Sequence, residues 1–442
     1  MSRTNRWIGG SILFGVLIYA MAPNAFAAIS DPGFWNWRRD IVLFSGTISF
    51  VLMTLVVLIS TRNPMLERLT GGLDKGYVIH KWAGIWAVST GALHWLVEKT
   101  PKWTYSLGIW PEKVKGARAA VPDWQVALWK SGNVAAEYTI YAAIILTIIA
   151  LINRIPYRYF RLTHKAFAFS YLVFAWHSAT IMLKPDWFAT PSGYIVLALA
   201  VVGSIAVLQG LFGYIGLSRR AEAVVTAFRD HGGILDIRLA ATGGYAMAHN
   251  PGQFAFLRFD HDAEPHPFSF ASSGKDAKQF RFGIKALGDY TTKLAESISV
   301  GQRVKLEGPY GGFHFDHPTS RQVWIAGGIG ITPFLARLEH LAANGGTDRP
   351  VDLWYCAATV ESAKWPTDLA SLCEDAGVTL HVMVAERQEF LSAQGVQETT
   401  GTIEDVSVLF CGPHGFARAI LGGLKTRGFD ENNFHYDAFG MR

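Results

Sequence analysis

Four histidines in the first half of the chain have the spacing of ligands for two metal centres. His80 and His94 lie fourteen residues apart on one apolar segment, and His164 and His177 lie thirteen residues apart on another. On a helix, each pair would span about 20 Å along the axis. Two such helices side by side would offer two bis-histidine pockets at different depths. Because neutral imidazole is an established axial ligand of haem iron, the pattern predicts two stacked b-type haems within a membrane.

The two spacings differ in helical phase. Fourteen residues is close to four helical turns, whereas thirteen residues place His177 about 140° away from His164 on an ideal helix. We therefore expect an over- or under-wound turn, or a bent axis, in the second helix. The alternative is that all four are core histidines hydrogen-bonded across helices. Their matched depths favour the haem interpretation.

The elements that would carry these histidines are long apolar segments. Half of the residues are hydrophobic, 17% are charged, and the longest uncharged stretches all occur before residue 219, at 7–30, 41–60, 82–97, 138–152, 166–183 and 187–218. Several reach the roughly 20 residues that cross a hydrocarbon core, and the others reach it if flanking basic side chains snorkel. The pattern predicts an all-α six-helix membrane bundle over residues 1–218. The first segment also resembles a cleavable secretory signal ending near Ala25-Phe26-Ala27, and cleavage would leave five spans.

Basic residues between the segments predict the orientation. With six spans, four groups of basic residues fall on one side: Arg3, Arg6, Arg62, Arg68, Lys75, Arg154, Arg158, Arg161, Lys165, Arg219 and Arg220. The positive-inside rule assigns that side, and the second half of the chain, to the cytoplasm of a bacterial-type inner membrane. The calculated isoelectric point near 9.0 then follows from topology and does not indicate a nucleic-acid partner.

The three cysteines lie in the predicted cytoplasmic half. Cys356, Cys373 and Cys411 lack the spacing of metal ligands. A disulfide is not expected in a reducing compartment.

The second half changes to a pattern of short strands. Alternating segments at 234–239, 253–259, 280–285 and 303–307 predict an antiparallel β-barrel domain over residues 219–318. From residue 320, strands at 322–326, 351–356, 379–384 and 407–411 alternate with helices at 332–343, 364–375 and 413–426. That order predicts an α/β nucleotide-binding domain over residues 319–442.

A glycine-rich junction follows the first of these later strands. Gly327, Gly328 and Gly330 would let the backbone approach a pyrophosphate at the start of a helix. We expect Thr332 to cap that helix and Pro333 to occupy its first turn. A glycine-rich turn alone is a weak signal, but its position between a barrel and Cys411-Gly412-Pro413 strengthens the interpretation.

Further motifs lie between the histidines and the end of the chain. They are His266-Pro267-Phe268-Ser269, Lys285, Gly288-Asp289-Tyr290-Thr291, Gly308-Pro309-Tyr310-Gly311 and Cys411-Gly412-Pro413. Singly, each could be an ordinary strand, turn or buried residue. In this order, behind the four histidines, they resemble the membrane ferric reductase and NADPH oxidase branch of the ferredoxin–NADP reductase superfamily.

The resemblance implies FAD and a nicotinamide nucleotide as cofactors. Phe268 would lie against the isoalloxazine and Ser269 near its reactive nitrogen. Lys285, Gly288, Asp289, Tyr290 and Thr291 correspond to the family's segment near the FAD pyrophosphate, and Gly308 to its Gly-Pro-aromatic turn. Cys411, Gly412 and Pro413 correspond to the end of the hydride-transfer strand. The resemblance implies Cys411, Ser269 and Phe439 as the catalytic residues.

Two departures from the family pattern leave details open. Many relatives end on an aromatic residue that stacks on the flavin; here Phe439 lies three residues from the end, and Phe434 and Tyr436 are alternatives. Relatives that use NADPH carry an arginine just after the strand end that corresponds to Tyr355-Cys356. At that position this chain has Ala357-Ala358. Arg387 could serve a 2′-phosphate instead, so the choice between NADH and NADPH stays open.

The resemblance implies electron flow from cytoplasmic NAD(P)H through FAD, an inner haem (His80 and His164) and an outer haem (His94 and His177) to an external acceptor. A flavin is needed because nicotinamide gives up a hydride whereas a haem accepts single electrons. The expected acceptor is a ferric chelate. The alternatives are dioxygen with release of superoxide, a quinone or periplasmic protein, or a haem-free flavoprotein merely anchored in the lipid.

Overall fold

The computed structural model describes residues 3–112, 121–152, 154–155, 157–182, 187–243, 246–260, 262 and 264–437. The chain falls into two compact units. The first comprises Met1–Thr70 and Lys75–Ile215, and the second comprises Gly71–Asp74 and Gly216–Arg442.

The first unit is helical. Its helices are α1 (Arg3–Ala20), α2 (Ala27–Ser30), α3 (Phe34–Ser60), α4 (Pro64–Thr70), α5 (Leu73–Trp103), α6 (Asp123–Leu151), α7 (Tyr157–Ile181) and α8 (Pro191–Leu211). Among the described residues, α3, α6 and α8 are long and apolar enough to cross a membrane. The four histidines lie on α5 and α7, which also carry lysines within their apolar sequence. Six long helices overlap the six apolar segments, whereas the six-span topology stays a prediction.

Small residues let neighbouring helices of this unit approach closely. A Cβ on Gly203 of α8 would lie 1.8 Å from the hydroxyl oxygen of Tyr171 on α7. That hydroxyl donates to the carbonyl of Leu199 on α8 at 3.0 Å and also contacts the Thr54 hydroxyl on α3 at 3.0 Å. Tyr171 therefore joins three helices through one buried polar group, as is typical of helix packing in membranes.

The second unit begins with an antiparallel sheet. Its elements are β1 (Arg220–Asp230), β2 (Ile234–Thr242), β3 (Phe254–Phe259), β4 (His266–Ser269), β5 (Gln279–Lys285), α9 (Asp289–Ser297) and β6 (Arg303–Tyr310). The strand order is β4-β3-β6-β1-β2-β5. A bridge between Phe270 and Phe282 brings the two edges together, so the sheet curls almost into a barrel around a phenylalanine-rich core. This confirms the predicted antiparallel, barrel-like architecture.

The remainder forms a parallel sheet covered by helices. Its elements are β7 (Arg321–Gly327), α10 (Thr332–Ala342), β8 (Val351–Ala357), α11 (Val360–Ala363), α12 (Leu369–Ala376), β9 (Thr379–Val384), α13 (Ala393–Thr400), β10 (Val406–Cys411), α14 (His414–Lys425) and β11 (Phe434–Asp437). The order β11-β10-β7-β8-β9 reverses direction between β7 and β10. Ligands of open α/β sheets bind at such a switch point, beside the carboxyl ends of the strands.

One predicted helix of this sheet begins later than expected. The pattern predicted a helix over 364–375, but α12 spans Leu369–Ala376, and the short helix α11 ends at Ala363, before Trp365 and Pro366. Proline lacks an N–H group and disfavours helical backbone at the preceding residue, so the predicted start at residue 364 was wrong.

A buried arginine connects the barrel-like sheet to the α/β part of the same unit. Arg281 on β5 donates to both carboxylate oxygens of Asp236 on β2 at 2.8–3.2 Å. Its Nη1 also lies 3.4 Å from Oδ2 of Asp368, the residue before α12, and 3.6 Å from Oε1 of Glu339 on α10. Burial disfavours the charge of Arg281, but the Asp236 carboxylate raises its pKa overall. The arginine therefore stays charged and ties the two sheets together.

Candidate functional site

The four histidines form two facing pairs. The ring centres of His80 and His164 are 5.9 Å apart, and those of His94 and His177 are 6.3 Å apart. Two imidazoles bound to one metal ion through bonds of about 2 Å have ring centres about 6 Å apart. In the part of the chain that the structure describes, no three His, Cys, Asp or Glu side chains converge as metal ligands. The geometry thus fits two bis-histidine sites, as the resemblance implied.

Helix α3 orients the two histidines of α5. The Nδ1 atom of His80 donates to the carbonyl oxygen of Val56 at 3.0 Å, and Nδ1 of His94 donates to that of Val42 at 2.7 Å. Each bond requires the hydrogen on Nδ1, which leaves Nε2 with a lone pair. A carbonyl partner that fixes the tautomer in this way is typical of metal-binding histidines.

His164 supports a bound group more directly. Its Nδ1 atom is buried and has no hydrogen-bond partner among the described residues. The ring lies between Phe160 and Phe167, with centres at 5.1 and 5.3 Å. A buried polar atom without a partner is costly, so this environment argues against a histidine that merely cross-links helices. It fits a position that a cofactor completes.

Two glycines from neighbouring helices make room for the outer pair. A Cβ on Gly46 of α3 would lie 2.7 Å from Nδ1 of His94. A Cβ on Gly132 of α6 would lie 2.3 Å from the Thr180 hydroxyl and 3.2 Å from the Cα of His177. The sequence did not identify these glycines, because no spacing along the chain links α3 or α6 to the histidines.

The phase difference between the pairs is not resolved by an irregular turn. Helix α7 is α-helical without interruption from Tyr157 to Ile181. Of the two expected adjustments, a wound turn or a bent axis, the structure therefore shows no irregular turn within Tyr157–Ile181. The rings of His164 and His177 nevertheless both face histidines of α5.

The predicted flavin motif lies on β4, at an edge of the antiparallel sheet. Its four residues pair with β3 in the register Leu257 to His266, Phe256 to Pro267, Ala255 to Phe268 and Phe254 to Ser269. Ser269 is buried, and Phe268 packs against the barrel core. The motif therefore forms a strand, and the barrel core fixes the side chain of Phe268.

A stacked pair connects this strand to the start of α9. The rings of His266 and Tyr290 are 3.6 Å apart and nearly parallel, and the Tyr290 hydroxyl donates to Asp262 at 2.5 Å. Burial and the Asp262 carboxylate raise the pKa of Tyr290, so its hydroxyl remains a donor at neutral pH. The resemblance placed both rings in the flavin site, but only the structure brings them together, and Asp262 was not predicted.

The segment predicted near the FAD pyrophosphate forms the N-terminus of α9. Gly288 precedes the helix, Asp289 begins it, and the Thr291 hydroxyl accepts from the N–H groups of Leu287 and Gly288 at 2.9 and 3.2 Å. Helix N-termini favour anions such as phosphate. Lys285, at the end of β5, reaches toward the glycine-rich turn: its Nζ is 3.7 Å from the position a Cβ on Gly328 would take.

Glycines bring two loops into contact at the switch point of the parallel sheet. A Cβ on Gly330 would lie 2.1 Å from the carbonyl oxygen of Cys411, and one on Gly327 would lie 2.7 Å from Pro413. Gly412 is equally close, since its Cβ would lie 2.9 Å from the Cα of Gly327. The end of β7 and the end of β10 thus form one backbone surface where a dinucleotide can lie.

The role predicted for Thr332 is corrected. Helix α10 begins at Thr332, with Pro333 in its first turn as expected. The Thr332 hydroxyl donates to the carbonyl of Ile329 at 2.7 Å and does not accept from a helical N–H. The 3₁₀ turn Gly328–Ile331 runs directly into the helix, and Ile331 occupies the N-cap position without a side-chain hydrogen bond.

The remaining predicted residues are spread around this surface. Cys411 is fully buried, and burial raises its pKa well above the ordinary value. Gly308 packs against β3, where its Cβ would meet the backbone of Phe254 at 3.2 Å. Arg387 is exposed in the turn after β9. Phe439 lies outside the described residues.

Comparison with known proteins finds family similarity in parts of both halves of the chain. Residues 45–175 match the family of ferric reductase like transmembrane components, and residues 233–314 match a family of FAD-binding domains. The reductase component of propane 2-monooxygenase from Rhodococcus jostii is 29% identical over 223 residues, which is 47% of this chain and 60% of that protein. The glycine betaine monooxygenase reductase subunit from Chromohalobacter salexigens is 26% identical over 212 residues, 43% of this chain and 56% of the relative.

The curated relatives are matched over less than two thirds of their own length. Among solved structures, the ferredoxin reductase of carbazole 1,9a-dioxygenase is 26% identical, covers 50% of this chain and 69% of that one, and has a TM-score of 0.43. The α/β part, the FAD-binding domain and the membrane component occur in one polypeptide. The chain therefore joins a segment similar to ferric reductase like transmembrane components to a segment similar to FAD-binding domains.

Proposed function

We propose that this protein moves electrons from cytoplasmic NAD(P)H across a bacterial inner membrane to a ferric chelate outside. The observation that carries the proposal is the pair of facing imidazoles at each of two levels, with ring centres 5.9 and 6.3 Å apart. A membrane protein that only anchored a flavin domain would need neither pair. Bound cofactors would supply the electron chemistry: FAD takes a hydride and releases single electrons, and two b-type haems carry them through the lipid.

The chain's own residues hold and orient these groups. His80 and His164 would hold the inner haem, and His94 and His177 the outer one. The carbonyls of Val56 and Val42 keep Nε2 of the α5 histidines available for iron, because they accept the hydrogen on Nδ1.

The second unit would position the flavin against the nicotinamide. Phe268 and Ser269 on β4 would face the isoalloxazine, while the N–H groups at the start of α9 would receive its pyrophosphate. The surface formed by Gly327, Gly330 and Gly412 would receive the nicotinamide dinucleotide. The fully buried thiol of Cys411, together with Phe439, would limit how the nicotinamide ring approaches.

The topology is also part of the proposal. Six spans would place the four groups of basic residues named above, and the second unit, on the cytoplasmic face. Because His94 and His177 would both hold the outer haem, the acceptor would be reduced at the external surface and not as a ligand of the iron. Such a reaction suits a bulky ferric chelate.

An absorption spectrum of the purified protein tests the cofactors. We expect two haems for each FAD. His94→Ala and His177→Ala should each remove about half of the haem and abolish ferric citrate reduction, while the rate of flavin reduction by NADH stays unchanged. Trp95→Phe, one residue along the same helix, is the control and should retain both haems. A preparation that reduces its flavin but shows no haem absorbance would leave only an anchored flavin reductase.

The acceptor is tested separately. NADH-driven reduction of ferric citrate should exceed superoxide formation in the same preparation. A larger superoxide yield would identify an oxidase. If neither acceptor is reduced although both haems become reduced, the acceptor is a quinone or a periplasmic protein, and added quinone distinguishes these two outcomes.

A further inference from the structure

The strand order shows where the adenosine end of a bound dinucleotide must lie. With the pyrophosphate at the glycine-rich turn after β7, the adenosine ribose extends toward the carboxyl end of the neighbouring strand, β8. An acidic side chain at that position binds the ribose hydroxyls of NADH, whereas a cationic one favours the 2′-phosphate of NADPH. Strand β8 ends at Ala357 and is followed by Ala358, so its own residues supply neither group.

The next strand delivers a carboxylate to this position. Glu386 lies in the turn that follows β9, and its Oε2 accepts a hydrogen bond from the backbone N–H of Val360 at 2.8 Å. Its own backbone N–H donates to the carbonyl of Ala358 at 3.1 Å. These two bonds hold Glu386 beside the end of β8, while the side chain remains exposed to solvent.

We propose that Glu386 makes this protein select NADH over NADPH. The inference rests on the proposed use of a nicotinamide nucleotide and specifies which one. A carboxylate has about four acceptor positions, so one bond to Val360 leaves others for the ribose hydroxyls. A 2′-phosphate would instead bring a second negative group next to the carboxylate. The phosphate also could not use the first N–H group of α11, because Val360 already donates it to Glu386.

The neighbouring charges do not reverse this preference. Arg387 follows directly and would attract a 2′-phosphate, but it is exposed and has no hydrogen-bond or ion-pair partner among the described residues to fix it there. On α11, Glu361 and Lys364 form an ion pair at 2.6 Å, which neutralises both. Glu386 is therefore the charged group that the backbone fixes at the end of β8.

The test compares two nucleotides on the full-length protein. Flavin reduction is followed anaerobically by stopped-flow absorbance with NADH and with NADPH. The wild type should have a second-order rate constant at least about tenfold higher with NADH. Glu386→Gln keeps an oxygen acceptor for Val360 but removes the charge, and it should reduce the NADH:NADPH ratio about tenfold. In Glu386→Gln, flavin reduction should reach half of its limiting rate at a lower NADPH concentration than in the wild type. The limiting rate itself should stay the same.

Controls separate this inference from the broader proposal. Glu361→Gln removes the same charge from the adjacent helix and should leave the ratio unchanged. If neither nucleotide reduces the flavin, the proposed function itself fails. If both do, but the wild type uses NADPH equally well or Glu361→Gln shifts the ratio as much as Glu386→Gln, only the role of Glu386 is refuted.

Discussion

The guanidinium of Arg38 on α3 donates to the carbonyl oxygen of Val97 on α5, with an Nε–O distance of 3.2 Å. Four residues after Val97 stands Pro101, inside the same helix. Because proline has no N–H, the Val97 carbonyl has no helical donor, and Arg38 replaces it. Arg38 also donates to the carbonyl of Glu98 at 2.9 Å and contacts its carboxylate. One turn earlier on α5 lies His94, so this contact fixes α3 against the helix that carries an outer ligand.

Arg38→Gln should therefore weaken the outer histidine pair. The variant loses the charged donor to the Val97 carbonyl, which has no helical donor, and the contacts with Glu98; such hydrogen bonds contribute about 1–3 kcal/mol. We expect haem to be released at a lower temperature, measured as loss of haem absorbance on heating. Arg39→Gln is the matched control, since Arg39 instead donates to the carbonyls of Pro23 and Asn24. Equal effects of the two variants would contradict a specific role for Arg38.

Gly330→Ala should separate the two loops of the nucleotide surface. The new methyl would lie 2.1 Å from the carbonyl oxygen of Cys411, so backbone must move. Overpacking of this kind costs about 1–3 kcal/mol, and nucleotide-dependent flavin reduction should slow about tenfold or more. The control is Gly422→Ala within α14, where the new methyl would meet no atom within 4 Å outside the backbone of its own helix. This variant should stabilise the protein by up to about 1 kcal/mol. Unchanged kinetics in Gly330→Ala would show that the loops need not touch.

The three thiols should be unreactive in the native protein. Burial raises the pKa of Cys356 and of Cys373 to about 12, and that of Cys411 well above its ordinary value. Since the thiolate is the nucleophile, alkylation by iodoacetamide at pH near 8 should be at least about a hundredfold slower than in denaturant. Mass spectrometry of timed samples measures this for each cysteine, and rapid labelling of any one would contradict its burial.

The same thiols predict alkaline destabilisation. Their pKa values are higher in the folded chain than in the unfolded chain, so the unfolded state loses these protons first. The free energy of unfolding should therefore fall as the pH rises through about 9. Thermal unfolding of the full chain at several alkaline pH values measures this trend, and replacing Cys373 with Ala should make it shallower.

Arg281→Met should destabilise the second unit strongly. It would leave Asp236, Glu339 and Asp368 close together without their shared cation. Breaking a buried ion pair by removing one partner costs about 3–5 kcal/mol. The control is Arg238→Met, because Arg238 is exposed and pairs with Arg281 across the two strands. It should change stability by less than about 0.5 kcal/mol. Flavin release on heating measures the stability of both variants.

Local patterns were sufficient for much of the second unit. The strands predicted at 234–239 and 379–384 correspond to β2 and β9, because alternation and short apolar runs are properties of the strand itself. Strand β1 and helix α9 were not predicted. Helix α9 begins at Asp289 within the motif assigned by resemblance, and its capping depends on Thr291 bonding back to Leu287 and Gly288.

The sequence by itself determined the residue types and intervals: four imidazoles at fourteen and thirteen residues, glycines after β7, and Cys411-Gly412-Pro413 after a later strand. Those features follow from helical rise and from the backbone freedom of glycine, which act over short distances along the chain. Only the tertiary structure decided which groups meet. Gly46 beside His94, the stack of His266 on Tyr290, and Glu386 on Val360 each join residues from separate elements, and no local pattern encodes such contacts.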